Sequence, residues 1–95
     1  MTCALHGFLR GVTVVDVSHY IAGPYASLML ADMGATVVKV EPPHGDPMRG
    51  LGPRSTLGEP VFHAALNIGK SIRHLDLKQP AGRDELLGLL EEADL

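Results

Sequence analysis

Val12-Thr13-Val14-Val15-Asp16-Val17, followed by Ser18-His19-Tyr20-Ile21-Ala22-Gly23-Pro24 and, after an intervening segment, by Thr36-Val37-Val38-Lys39-Val40-Glu41, is the stretch whose reading decides the fold. The first run is β-branched and apolar, with the length of a strand buried on both faces, as in a parallel sheet. Gly23-Pro24 then supplies a turn and a proline suited to the first turn of a helix. Ala26, Met29, Leu30 and Met33 follow at helical spacing, and Gly34 is the stop signal. The second β-branched run ends at Pro42-Pro43, because proline has no N–H to give a ladder. A strand, helix and strand this close together require a crossover and a parallel pair. Residues 12–41 therefore open an α/β domain.

Residues 42–60 are rich in Gly and Pro and read as a long surface loop, of a length that in compact domains is usually functional or mobile. Val61 to Asn67 predicts a short helix, Gly69-Lys70 a turn, and Ile72 to Leu77 a third strand. From Pro80, Leu86, Leu89, Leu90 and Ala93 fall at i, i+3, i+4 and i+7 of a final helix. Its apolar stripe needs a sheet to cover it. An alternating chain would next supply another strand, so these elements are expected to be a fragment of a larger core.

The chain has 95 residues, 45% of them hydrophobic and 20% charged, which suits one small folded domain and excludes disorder. A net charge of −3 provides no basic footprint for nucleic acid. No apolar run approaches the roughly 18 residues of a membrane span, and the first residues lack the pattern of a signal peptide. The expected location is the cytoplasm. The single cysteine, Cys3, has no internal partner for a disulfide and reads as a plain thiol.

In doubly wound sheets, ligands sit at the carboxyl ends of the strands, which places residues 18–24 at a candidate site. A dinucleotide fold would carry G-x-G-x-x-G there. Only Gly23 is present, although Glu41 stands near the usual place of a ribose-binding acid. The loop glycines lack the lysine and serine of a phosphate-binding loop, and Arg49 and Arg54 read as solvated loop arginines. The five histidines, His6, His19, His44, His63 and His74, show no metal-ligand spacing.

Several segments, in order and at matching spacing, resemble the family III CoA-transferases, which include the carnitine and bile-acid CoA-transferases. They are Leu9-Arg10-Gly11-Val12, Ala22-Gly23-Pro24-Tyr25, Leu30-Ala31-Asp32-Met33-Gly34-Ala35, Val37 to Pro43 and Gly45-Asp46-Pro47-Met48-Arg49. The match resumes at Leu66-Asn67, Gly69-Lys70, Leu75-Asp76-Leu77-Lys78, Pro80-Ala81-Gly82-Arg83 and Ala93-Asp94. The resemblance implies that residues 1–95 are the N-terminal portion of a large Rossmann-like domain. The whole protein would be longer, with a smaller domain, and would form an interlocked homodimer.

Such enzymes move CoA from an acyl-CoA to a carboxylic acid. The CoA thioester is substrate, and no separate cofactor is implied. An aspartate attacks the thioester to give a mixed anhydride, and CoA thiolate converts that to an aspartyl-CoA thioester, which the acceptor acid resolves. The resemblance puts that aspartate beyond Leu95, so none of the six aspartates here, Asp16, Asp32, Asp46, Asp76, Asp84 and Asp94, is expected to be catalytic. It also aligns His19, Ala22, Leu75 and Lys78 with CoA-contacting positions. A lysine there suits a phosphate as a point charge, and small or apolar residues suit the adenine or pantetheine.

Two departures bear on substrate and strand. The formyl and oxalyl branch carries glutamine at Ile21 and arginine at Pro42, so an oxalate substrate is disfavoured. Where the family usually has lysine, arginine and serine in succession, this chain has Lys70-Ser71-Ile72-Arg73-His74. A local shift or bulge is expected in the third strand, with Arg73 a candidate replacement for the missing arginine. Other readings are a methylacyl-CoA racemase of the same superfamily, with its acid and base downstream, and a non-catalytic binding module.

Overall fold

The structure is a computed structural model that describes residues 7–95. Cys3 and His6 lie outside the described residues. Three parallel strands form one sheet in the order β1-β2-β3, with β1 at Thr13–Asp16, β2 at Thr36–Glu41 and β3 at Ser71–His74. Helix α1 (Ala22–Asp32) links the first two strands. After β2 comes a 3₁₀ turn at Pro47–Gly50, then α2 (Val61–Leu66), β3 and α3 (Pro80–Glu92).

The β-branched runs at 12–17 and 36–41 become the parallel pair, with Thr13 opposite Thr36 and Asp16 opposite Lys39. Helix α1 begins two residues before Pro24, so the proline lies inside its first turn, where its missing N–H costs no helical bond. The chain leaves that helix through Gly34, whose φ of 103° belongs to the left-handed region that glycine adopts freely. Val14, Ala35 and Val37 form the buried centre, with Leu9, Val12, Leu30 and Ala31 packed around it.

Burial differs among the strands. Central β2 buries Val37, Lys39, Val40 and Glu41, whereas β1 buries only Val14 and Asp16, and every residue of β3 is exposed. Double-sided burial, expected of the first strand, is thus met by the strand that has neighbours on both edges. β3 pairs residue for residue with β2, from Val38 opposite Ser71 to Glu41 opposite His74. The expected bulge is absent there, and the strand ends three residues short of Leu77.

After α3 the chain returns to the outer edge of β1. The Leu95 N–H donates to the Thr13 carbonyl at 3.3 Å, and the Val15 N–H donates to the Leu95 carbonyl at 2.9 Å. These two bonds are those of a parallel bridge around Val14. The Asp94 carboxylate reinforces it by accepting from the Thr13 N–H at 2.8 Å. Helix α3 itself buries no residue, and Leu87 and Leu90 stay exposed, so the covering expected for its apolar stripe is not reached within residues 7–95. No helix among the described residues is long and apolar enough to cross a membrane.

Candidate functional site

The chain segments that follow the three strands meet over the carboxyl edge of the sheet. They border a cavity of about 390 Å³ whose walls include Val17 and His19 after β1, Glu41 at the end of β2 with Pro42 to His44 after it, and Leu75 to Lys78 after β3. Each wall is there for a local reason. Pro42 and Pro43 cannot continue β2. Leu75 still donates its N–H to the Glu41 carbonyl at 2.8 Å, so the chain leaves β3 over the end of β2. Asp76 then accepts from the Lys78 N–H at 3.0 Å, a turn that brings the lysine to the cavity mouth.

Three of the four aligned residues therefore converge. Leu75 is buried as an apolar floor, while His19 and Lys78 are exposed at the rim. Ala22, at the first position of α1, does not line this cavity. Its neighbour Ile21 borders a second cavity, of about 490 Å³, between the start of α1, the 3₁₀ turn and α2. Tyr20 stands between His19 and Ile21 in the chain. It is a non-glycine residue with a φ of 65°, and its N–H donates to Asp46 Oδ1 at 3.4 Å.

Beneath the first cavity lies a layer of buried charge. Lys39 and Asp46 are fully buried and paired at 2.6 Å, and Asp46 also accepts from the Met48 N–H at 2.9 Å, capping the 3₁₀ turn. Burial works against the Asp46 carboxylate, but Lys39 and the backbone donors outweigh it and hold its pKa below the ordinary value. Glu41 accepts from Arg49 Nε at 2.7 Å and Nη2 at 3.2 Å, and from the Asp46 N–H at 2.8 Å. His63 Nε2 lies 3.0 Å from its second oxygen. Desolvation is the largest influence on Glu41 and raises its pKa, yet the donors, Arg49 first, bring it down to about 2.

A second cluster ties α1 and α2 to β1. Asp16 accepts from the Ser18 hydroxyl and N–H and from the Ser27 hydroxyl, and Lys70 Nζ approaches it at 3.3 Å. That ammonium also donates to the Pro24 carbonyl at 2.9 Å and to Asn67 Oδ1 at 3.0 Å. Burial draws the Lys70 pKa down against the pull of Asp16. Desolvation likewise opposes the Asp16 charge, and the serine bonds overcome it.

These partners settle several side chains. Glu41 has both oxygens occupied inside the protein, which removes it as a ribose acceptor. Arg49 is no solvated arginine, since Glu41 holds it in two bonds and raises its pKa. Arg54 is exposed but spans the Gly58 and Arg49 carbonyls, both at 3.0 Å. Arg73 turns to Glu85 on α3 at 3.3 Å and does not line the cavity, so it does not replace the arginine absent at Pro42. Asp16, Asp46 and Asp94 are bound to internal donors. No group of three or more His, Cys, Asp or Glu among the described residues is placed to hold a metal.

The model of CoA-transferase family III matches residues 9–95. The chain is 40% identical over 93 residues to the succinyl-CoA:mesaconate CoA-transferase of Haloarcula hispanica, a match covering 94% of this chain and 24% of that protein. It is 42% identical over 94 residues to the succinate–glutarate CoA-transferase of Agrobacterium fabrum, covering 92% of this chain and 24% of the relative. The crystal structure of a CAIB/BAIF family protein from Brucella suis superposes with a TM-score of 0.83 at 33% identity, over 99% of this chain and 25% of that one. The chain thus spans about a quarter of the length of the curated relatives it matches.

Proposed function

This chain belongs to CoA-transferase family III, and we propose that it forms one wall of the CoA site of an acyl-CoA:carboxylate CoA-transferase. The observation that carries this is the meeting of His19, Leu75 and Lys78 around one cavity at the carboxyl ends of three parallel strands. CoA offers an adenine, a charged phosphate end and a long pantetheine. Leu75 supplies an apolar floor, and Lys78 a point charge whose ammonium makes no hydrogen bond among the described residues. His19 adds a second donor at the rim.

In this reading the nucleophilic carboxylate comes from sequence beyond Leu95, and the intact protein is a homodimer. The chain's part is to hold the thioester so that this carboxylate meets its carbonyl. In this reading Asp16, Asp46 and Asp94 serve the fold, each accepting from internal donors. The names of the relatives favour transfer over racemisation.

Calorimetric titration of the intact protein with CoA tests the site. Lys78→Ala is expected to weaken CoA about fivefold, the effect of losing roughly 1 kcal/mol from one exposed charge contact. An unchanged dissociation constant in both Lys78→Ala and His19→Ala would refute the site.

A further inference from the structure

Asp46 does more than cap the 3₁₀ turn. His19 stands between two amides, each tied to a buried carboxylate: the Ser18 N–H donates to Asp16 Oδ1 at 2.8 Å, and the Tyr20 N–H to Asp46 Oδ1 at 3.4 Å. Side-chain burial does little to fix this segment, because residues 19–22 are all exposed. Tyr20 is also left-handed, a conformation that a bulky residue keeps only where its surroundings hold it. The bond to Asp46 is such a hold.

The acceptor is itself firmly placed. Lys39, fully buried and 2.6 Å from Asp46 Oδ2, balances its charge and leaves Oδ1 to the amides of Tyr20 and Met48. The Asp46 N–H donates to Glu41 Oε1 at 2.8 Å, which anchors Asp46 to the end of β2, another wall of the first cavity. The Tyr20 bond therefore ties the wall that carries His19 to the wall built on Glu41. We infer that Asp46 is a positioning residue for CoA, acting through the Tyr20 amide to fix His19 at the cavity rim. This rests on the CoA site proposed above and concerns how that site is held.

Two variants of the intact protein separate the acceptor from the charge. Lys39→Met/Asp46→Asn keeps an oxygen for the Tyr20 amide and Lys39→Met/Asp46→Leu removes it, while neither leaves a buried charge unpaired at this pair. In calorimetric titration with CoA the leucine variant should bind about threefold more weakly than the asparagine variant, the effect of one net hydrogen bond. Adding His19→Ala to both should abolish the difference, whereas adding Lys78→Ala should leave it at about threefold. A difference that persists without His19 would make Asp46 purely structural and overturn the inference, with the CoA site intact. Equal affinities of the two variants would overturn it as well, and so would an unchanged affinity in His19→Ala alone. If Lys78→Ala were also silent, the CoA site itself would fail.

Amide hydrogen exchange on the unsubstituted protein gives a second reading should the leucine variant not fold. By reciprocity, a bond that tightens CoA is strengthened by CoA to the same degree, so saturating CoA should slow exchange of the Tyr20 N–H about threefold. No slowing would overturn the inference.

Discussion

Replacing Glu41 with glutamine should lower stability, and the loss should depend on pH. The carboxylate is fully buried, and its pKa falls from 4.5 to about 2 on folding. That shift corresponds to roughly 3 kcal/mol of preference for the charged form. Arg49, the main donor, is 35% exposed, so solvent screening trims the figure to about 2 kcal/mol. A depressed folded pKa stabilises above the unfolded value, and the contribution is lost as pH falls from about 4.5 to about 2. Urea unfolding of the chain at pH 7 should show the Glu41→Gln midpoint lowered by about 2 M, for a slope near 1 kcal/mol per M. At pH 2.5 the gap to wild type should shrink to less than half. A gap of the same size at both pH values would show that Glu41 acts by shape and not by charge.

Lys39→Met leaves Asp46 buried without its partner and should cost about 3 kcal/mol, whereas adding Asp46→Asn should recover part of it; a double-mutant cycle in urea reads the difference. Arg73→Ala, which breaks only the exposed pair with Glu85, should change the unfolding free energy by less than about 0.5 kcal/mol and leave CoA affinity unaltered in the same calorimetric titration.

The strands and helices were legible because each follows from a local rule: β-branched runs at 12–17 and 36–41, Pro42-Pro43 as a stop, Gly34 as a helix end. The motif resemblance singled out His19, Ala22, Leu75 and Lys78; His19 lies far from Leu75 and Lys78 in the chain and meets them only through the parallel order of the strands, while Ala22 stays outside that cavity. The buried charges were harder to see. Val37, Lys39 and Glu41 share one face of β2, and in a strand buried on both sides that alternation should have flagged internal ion pairs. Their partners Asp46 and Arg49 sit in a Gly- and Pro-rich segment, where charge normally signals exposure. Lys70 was hidden for a similar reason, since a lysine after a glycine reads as a turn and nothing local reports Asp16, 54 residues away. The end of β3 at His74 depends on the Leu75 bond to Glu41, a tertiary contact no periodicity encodes.

On the proposed reading, CoA occupies the cavity at the carboxyl ends of the three strands. Titration of the ¹⁵N-labelled intact protein with CoA, followed amide by amide, tests this. The largest shift changes are expected at residues 17–19 and 75–78, with α3 beyond its first turn unmoved. Changes concentrated on α3 or the outer edge of β3, with residues 75–78 silent, would contradict it.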